Sequence, residues 1–577
     1  MGTVLSNMPV GRSSGARLLF MGSALVTSAI AFWTNNLTAD HLAPIFSYLF
    51  TALDSTGADC ALLILAAAVL VKQAHAFRPL LRWIGTHPYP LAALTFVVLC
   101  LGALLIYRDY PLSMDEYSAY FQSQVFAAGH LTGQFPREQL DWLVPPPFQN
   151  TFLFVSHASG RVASVYWPSF ALILAPFTLL GIPWACNPAI SALTVLVIHR
   201  LALRLFADPE AAGLAVLLTV ASPVFCADGI SYYSMSAHLL ANGVFALLLL
   251  DPSARRAGLA GLVGSVALTL HNPVPHLLFA APWIIWLITR RGGLRLTGWL
   301  LAGYLPLSLL LGLGWFLYAA GLPHEGIAHP ATAAISNGLV ARMGSLFALP
   351  APSLWLARTI GVAKIVVWAV PAMVMLACAG AWRWRHDAHC RLLALSAITT
   401  LLGFLFVPVD QGHGWGFRYF HSAWLALPLL AAGAVTVTRA ASGTSPPRTV
   451  LQDDATLTFV VACALLTLIC GNALRAYQIH DFVTTSLTQL PPEQGTGRRV
   501  LLIDPRFSFY GLDKIHNDPW LRTDVIRMVS HGPAEDAVEM RKFYPELHRV
   551  HDDPYGTVWA AAAAAPGAAH YSAEVLR

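Results

Sequence analysis

Two adjacent carboxylates stand where this chain can do acid–base chemistry. Asp115 and Glu116 follow a long apolar run and open a polar and aromatic segment, which predicts a short interfacial helix that presents both groups at a membrane surface. Such a pair can take a proton from a hydroxyl group or ligate a divalent cation. Acidic residues also favour the first turn of a helix, so helix capping is the alternative interpretation.

An isolated arginine is the second candidate. Arg418 lies between glycines and Tyr419 in a turn, 410 to 421, that contains no other cation. The planar guanidinium group binds phosphate through two parallel hydrogen bonds, so Arg418 is well placed to hold a lipid-linked phosphate. The alternative is an anchor whose charged end reaches the membrane boundary.

Further polar residues occur in three separate turns. Asp228 and His238 belong to one turn, His271 to a second and His413 to the same turn as Arg418. If all three turns lie on one face, these side chains line a common cavity. A single histidine at such a boundary is more often a hydrogen-bonded group than a metal ligand. Three histidines in these turns nevertheless leave a divalent cation open as an alternative.

The composition identifies the elements that must position these groups. Of the 577 residues, 56% are apolar and 11% are charged, against about 25% charged in ordinary soluble domains. The chain is therefore a polytopic membrane protein with an all-α transmembrane part. The net charge is +5, and the cations lie mostly at the ends of apolar runs instead of forming a basic face. This distribution gives no support for nucleic-acid binding.

Thirteen apolar runs predict about 11 to 13 transmembrane helices. Lys and Arg fall at alternate ends of these runs, which places the N-terminus in the cytoplasm and the C-terminal part outside it, in a multi-pass inner-membrane protein. The first run, after Arg12 and Arg17, has a cleaved signal peptide as its alternative interpretation. The topology requires that the proline-rich segment 163 to 183 lies at the interface instead of crossing.

The chain divides into six predicted parts. They are N-terminal transmembrane helices (1–107), a first long outer loop with interfacial helices (108–186), a transmembrane core (187–320), a second outer loop (321–362), C-terminal transmembrane helices (363–474) and a small α/β extracytoplasmic domain (475–577). In the last part, 500 to 503 reads as a strand and 534 to 543 as a helix. The alanine-rich end is expected to be disordered.

Several of these stretches resemble GT-C-type glycosyltransferases, the group with protein O-mannosyltransferases, aminoarabinose transferases and lipopolysaccharide sugar transferases. The resemblance covers about 90 to 290 and 408 to 430. The stretches that carry it are Asp115-Glu116, Gly129-His130-Leu131, the segment 160 to 183, Arg204-Leu205-Phe206, Ser222-Pro223, Tyr233 to His238, His271-Asn272-Pro273 and Gly416 to Tyr419.

The resemblance implies transfer of a hexose or pentose from a polyprenyl-phosphate carrier to an acceptor hydroxyl at the outer face, with inversion. Asp115 would be the catalytic carboxylate and Glu116 its neighbour in the acceptor or cation site, while Arg418 and Tyr419 would bind the donor phosphate. Many members carry a cation with paired prolines in the first loop, where this chain has Arg161 as the nearest substitute. The acceptor would be a glycolipid, a polysaccharide or a protein.

Two other functions stay open on the sequence. A secondary transporter would carry charged residues at mid-depth and inverted repeats, whereas the polar clusters here gather at one predicted face. A non-catalytic subunit for polysaccharide assembly or export would have a degenerate site, and the absence of the proline pair in the first loop is consistent with that alternative.

Overall fold

The computed structural model describes most of the chain. The residues described are 14–37, 44–72, 77–325, 351–407, 409–436, 449–495, 497–507 and 510–561. Most of the predicted second outer loop (326–350) and nearly all of the alanine-rich end (562–577) lie outside these ranges.

Helices dominate the described chain. In chain order they are α1 Ser14–Asn36, α2 Pro44–Tyr48, α3 Leu49–Leu70, α4 Phe77–Thr86, α5 Pro88–Leu105, α6 Met114–Ala127, α7 Leu140–Leu143, α8 Ser169–Leu179, α9 Pro183–Phe206, α10 Pro209–Ala221, α11 Pro223–Ile230, α12 Met235–Leu249, α13 Ala254–Leu268, α14 Val274–Thr289, α15 Gly293–His324, α16 Pro352–Val367, α17 Met373–Arg383, α18 Ala388–Phe404, α19 Arg418–His421, α20 Ala426–Val435, α21 Asp454–Thr488 and α22 Pro533–Phe543.

Six helices among the described residues are long and apolar enough to cross a membrane: α1, α3, α5, α9, α15 and α21. The pair α10 and α11 bends by 60° and makes a seventh if it is one span. Six more apolar helices are only 10 to 17 residues long, and they are α8, α12, α14, α17, α18 and α20. The multi-pass helical fold is confirmed; a count of 11 to 13 spans depends on these shorter helices.

Helix α5 connects the two ends of the bundle. Just before it, Arg78 and Arg82 both pair with Glu210 at the start of α10, and Arg78 also pairs with Asp454 at the start of α21. Just after it comes the segment that leads to Asp115. At 1.5 Å per residue, the 18 residues of α5 span about 27 Å, close to the thickness of a bilayer core.

The first outer loop folds around α6 and a small antiparallel sheet. Strands β1 Gly133–Gln134, β2 Leu153–Val155 and β3 Arg161–Ser164 pair in the order β1-β3-β2. The following helix α8 has only 11 residues and contains Pro176. Its length is about half of what a bilayer crossing needs, which agrees with an interfacial position for this segment.

The C-terminal part contains a four-stranded sheet. Its strands are β4 Arg499–Ile503, β5 Val525–Val529, β6 His548–Asp553 and β7 Gly556–Ala560, in the order β5-β4-β7-β6, with β4 and β5 parallel. The predicted strand and helix are confirmed as β4 and α22. Tyr117 and Phe121 of α6 share one buried core with Val500 and Met528 of this sheet, so the domain packs directly on the helix that carries Asp115.

Candidate functional site

A cavity of about 560 Å³ opens at the end of the bundle where α6 begins. Its walls come from the start of α6, the loop after β3, the turn between α13 and α14 and the turn between α18 and α19. A segment of the C-terminal domain supplies the remaining wall. The volume falls within the roughly 300 to 1,000 Å³ of ordinary ligand pockets.

Asp115 and Arg418 meet in this cavity although 303 residues separate them in the chain. Arg418 Nη2 donates to Asp115 Oδ2 over 2.9 Å, and its guanidinium group lies 4.4 Å from the centre of the Tyr233 ring. The Arg418 side chain is 5% exposed and that of Asp115 is 21% exposed. The carboxylate is therefore the member of the pair that a ligand reaches first.

The start of α6 fixes Asp115 through a capping box. The Ser113 side chain accepts from the third backbone N–H of the helix, and the Glu116 side chain accepts from the N–H of Ser113. Glu116 also accepts from the Leu112 and Tyr232 backbone and from the Tyr107 hydroxyl. It is fully buried, so the capping interpretation describes Glu116, whereas Asp115 points into the cavity.

Glycines shape the turn that carries Arg418. Gly412, Gly414 and Gly416 all have positive φ, a conformation that favours glycine. A Cβ atom at Gly414 would lie 2.4 Å from the Arg418 side chain, so only glycine leaves room for the guanidinium group there. Within the turn, Arg418 also donates to the carbonyl of Gln411, which holds it toward Asp115.

The charges in the cavity reinforce one another. Burial opposes ionisation of Asp115, but Arg418, together with His271 and the hydrogen bond from Tyr166, holds the pKa of the carboxyl below its usual value. Burial also opposes the charge on Arg418, yet Tyr233 and Asp115 raise its pKa further. Burial lowers the pKa of His271 to about 4 and that of His413 to about 3, so both histidines are neutral at pH 7.

Several predicted site residues line the cavity with Asp115 and Arg418. They are Tyr419, His271 and His413. The Tyr419 hydroxyl donates to the carbonyl of Asp410 over 2.7 Å, while His413 Nδ1 lies 2.9 Å from the Tyr233 hydroxyl. His413 Nε2 and Arg418 Nε have no hydrogen-bond partner among the described residues, which leaves donor capacity beside the cavity.

Four predicted site residues are not among those that line the cavity. Glu116 is enclosed in the capping box described above, and Arg161 pairs with Glu325 after α15. Asp228 is fully buried, with its carboxylate 2.9 Å from Nδ1 of His421. His238 is fully buried on α12. The first three of these residues thus contact groups other than Asp115 and Arg418.

The structure adds residues that the sequence did not single out as site residues. The Tyr166 hydroxyl donates to Asp115 Oδ1, and the Tyr166 ring stacks on His271 with centroids 3.9 Å apart. Asp513 and Tyr510 of the C-terminal domain also line the cavity. Asp513 Oδ1 accepts from the backbone N–H of Met114, 399 residues earlier, over 2.9 Å. Only the folded structure shows that this carboxylate joins Asp115 and Asp410 in the cavity lining.

The described residues contain no group of three or more His, Cys, Asp or Glu side chains that could hold a metal ion. The three carboxylates that line the cavity, Asp115, Asp410 and Asp513, therefore do not form such a group.

No family model and no curated protein matches this chain. Among solved structures it is similar to ArnT from Cupriavidus metallidurans bound to undecaprenyl phosphate, with 14% identity and a TM-score of 0.46, covering 81% of this chain and 97% of that one. The apo form of the same protein gives 13% identity and a TM-score of 0.41 over the same shares. ArnT is a GT-C glycosyltransferase, the kind of protein that the sequence resembles, and the similarity assigns no role to any residue here.

Proposed function

We propose that this chain is an integral-membrane glycosyltransferase of the GT-C type, which moves a sugar from a polyprenyl-phosphate carrier to an acceptor hydroxyl at the outer face. The observation that carries the proposal is the Asp115–Arg418 pair, held at 2.9 Å in a cavity at the end of the helical bundle. A lipid-linked donor keeps its phosphate at the membrane boundary, so a base and a phosphate-binding cation are needed at that level.

The proposed transfer gives each member of this pair a role. The acceptor oxygen attacks the anomeric carbon, and the bond from that carbon to the phosphate oxygen breaks. Asp115 takes the hydroxyl proton, and the phosphate leaves with the bonding electrons, stabilised by Arg418. Attack from the side opposite the phosphate would invert the anomeric carbon.

Donor binding would also activate the base. Arg418 now lowers the pKa of Asp115, which makes the carboxylate a weak proton acceptor. A phosphate that takes a share of the Arg418 hydrogen bonds weakens this effect, and the pKa of Asp115 then rises toward a value better suited to a base. The enzyme would thus have an effective base only when the donor is in place.

The cavity lining also distinguishes a carrier from a free sugar. Phe152, Phe404, Val407 and Val409 place apolar surface beside the charged pair. A polyprenyl chain matches such a surface, whereas a free sugar or a sugar nucleotide does not.

The direct test uses the full-length protein in lipid nanodiscs with a panel of polyprenyl-phosphate sugars and candidate acceptors. Release of free polyprenyl phosphate is measured with and without a chelator, which also settles the metal requirement. We expect turnover with at least one donor, and absence of both binding and turnover across the panel would overturn the proposal.

Arg418→Ala tests the phosphate site separately. Loss of a charge-assisted hydrogen-bonding partner should weaken donor binding about 10-fold to 100-fold. Arg290→Ala is the control, because Arg290 lies at the far end of α14 against Trp286. An unchanged donor affinity in Arg418→Ala would reassign this arginine to a structural role.

A further inference from the structure

A second cavity lies outside the candidate active site, between the first outer loop and the C-terminal domain. Its volume is about 390 Å³, again within the size range of ligand pockets. One wall belongs to the turn after α5 and to α6, and the other to the segments around β5. We define it as the outer cleft, lined in particular by Asp109, Tyr110, Tyr120, His516, Asp524 and Arg527.

Aromatic rings form one side of the outer cleft. His516 stacks between Tyr110, at 5.1 Å, and Tyr117, at 4.1 Å with nearly parallel planes. Tyr120 follows one turn later on α6 and packs against Tyr232. Flat rings backed by packed neighbours give a rigid surface against which the C–H groups of a sugar ring can lie.

Carboxylates from both walls also line the outer cleft. Glu493, Asp518 and Asp524 come from the C-terminal part and Asp109 from the first outer loop, against the single arginine Arg527 among the residues that line the cleft. Arg527 is already engaged by Glu493 over 2.7 Å. The cleft is therefore acidic, which repels phosphates and uronic acids and attracts neutral or amino-substituted ligands.

Polar atoms of the cleft residues still lack partners. The Tyr110 hydroxyl, His516 Nε2 and Arg527 Nε are withdrawn from solvent and have no hydrogen-bond partner among the described residues. Buried polar groups are nearly always hydrogen-bonded, because an unpaired one costs about 1 to 3 kcal/mol. A polyhydroxylated ligand carries both donors and acceptors on neighbouring carbons and would satisfy groups of this kind once the side chains that enclose them turn toward the cleft.

From the cavity, its rings, its carboxylates and these unpaired atoms, we propose that the outer cleft binds the carbohydrate part of the acceptor, with a preference for amino sugars. The proposal rests on the proposed function and narrows the acceptor to a glycan-bearing molecule. Helix α6 connects the two sites, with Asp115 facing the active cavity and Tyr117 and Tyr120 facing the cleft.

The test measures binding without catalysis. Saturation-transfer-difference NMR on the full-length protein uses three disaccharide probes, one with amino groups, one neutral and one with uronic acids. We expect transfer to the amino probe, less to the neutral probe and none to the uronic probe. Absence of transfer to every probe overturns the cleft proposal, even if the enzyme turns over its lipid-linked donor.

Two variants locate the binding. Tyr120→Ala should lower the affinity for the amino probe about 10-fold, because the contact between its ring and the sugar is lost. Asp524→Asn, which changes an exposed cleft carboxylate, should remove a preference of about fivefold for the amino over the neutral probe. Glu535→Gln, 70% exposed and outside the cleft, is the matched control and should change neither. Equal binding in all three variants contradicts the assignment.

The same variants separate this proposal from the proposed function. If Tyr120→Ala loses probe binding while the affinity for the lipid-linked donor is unchanged, the cleft holds the acceptor and the active cavity holds the donor. If no donor is used but the probes still bind in the cleft, the carbohydrate site stands and the transferase proposal fails.

Discussion

Two buried ion clusters in this protein use the same kinds of residue and have opposite surroundings. At the cavity, Arg418 pairs with an Asp115 side chain that is 21% exposed. Between the helices, Asp54 is fully buried, with Lys364 Nζ at 2.5 Å, Trp368 Nε1 at 2.6 Å and Arg475 Nη2 at 3.2 Å. The carboxylate of the first cluster lines the cavity, whereas the carboxylate of the second is enclosed by its own partners.

The difference lies in how completely the charges are neutralised by fixed groups. Arg475 also donates to the carbonyl of Leu53 and to Gln478, so its guanidinium is engaged on several sides. Asp54 serves two cations and an indole. Such a cluster holds α3, α16 and α21 together, while the pair at Asp115 keeps an exposed oxygen and leaves Arg418 Nε without a partner. Burial of a charge alone therefore does not identify a functional site here.

The position of the closed cluster also bears on the transporter alternative. Arg475 is about 31 Å along α21 from Asp454, at 1.5 Å per residue, and Asp54 is near the start of α3. Both lie toward the end of the bundle that holds the cavity, not at the middle of the spans. The cluster thus lacks the mid-depth position that alternating access would need.

Asp115→Asn should produce the largest loss of turnover, and it tests directly whether the cluster at the cavity is the functional one. An amide cannot take the acceptor proton, so turnover should fall by about 10²-fold to 10⁴-fold. Asp115 is partly exposed and the amide oxygen can still accept from Arg418, so the loss of stability should be smaller than for an enclosed carboxylate. The measurement pairs polyprenyl-phosphate release with thermal unfolding in detergent. Asp141→Asn, exposed in the same loop, is the control, and normal turnover in Asp115→Asn would remove the base assignment.

Asp54→Asn should lower stability and leave turnover normal. Removing the carboxylate leaves Lys364 and Arg475 as buried cations with no counter-charge, at a cost of about 3 to 5 kcal/mol of stability. We expect a lower melting temperature and a lower yield of monodisperse protein, with normal turnover per folded molecule. Asp59→Asn is the matched control, since Asp59 lies on the exposed side of the same helix. Loss of turnover at an unchanged melting temperature would show that the closed cluster is functional after all.

Glu116→Gln tests the same distinction between neighbouring residues. One Glu116 oxygen accepts from Tyr107 and the Leu112 and Ser113 N–H groups, and the other accepts from the Tyr232 N–H. A glutamine must turn an NH₂ group toward one of these donors, which should cost about 1 to 3 kcal/mol. Turnover per folded molecule should stay close to normal, as in the exposed control Glu138→Gln. A loss of turnover without a change in melting temperature would return Glu116 to the catalytic site.

The sequence supports the fold and part of the site for identifiable reasons. Apolar runs and cation positions are local signals, and they are sufficient for a multi-pass helical protein with an outer loop and a C-terminal α/β part. Arg418 stands out as the one Lys or Arg in its turn, and Asp115 as a member of a carboxylate pair that follows a long apolar run. Glu116 shows the limit of such reasoning, because two adjacent carboxylates look equivalent until the hydrogen bonds of the helix start are known.

Other site residues depend on contacts that no local pattern carries. Asp513 comes close to Asp115 only because the C-terminal sheet packs on α6 through Tyr117 and Phe121. Arg161 does not line the cavity. It pairs instead with Glu325, which lies far away in the chain. In both cases the partner that decides the position of the side chain is more than 160 residues away.

Asp513→Asn should have the smallest effect, and a pH profile makes it visible. Burial, together with the charge of Asp115, raises the pKa of Asp513 from 3.8 to about 7, although the Met114 N–H opposes the rise. The folded chain thus keeps a proton that the unfolded chain releases above about pH 4, so stability falls as pH rises toward 7. Above about pH 7, the ionised Asp513 adds a negative charge beside the place where the donor phosphate must bind.

The donor KM of the unmodified enzyme should therefore rise about fivefold between about pH 6 and 8, whereas Asp513→Asn should keep one low KM throughout. If the donor KM of Asp513→Asn rises with pH as it does in the unmodified enzyme, the titrating group is not Asp513. Asp115 and Arg418 would then be the charges that the donor contacts.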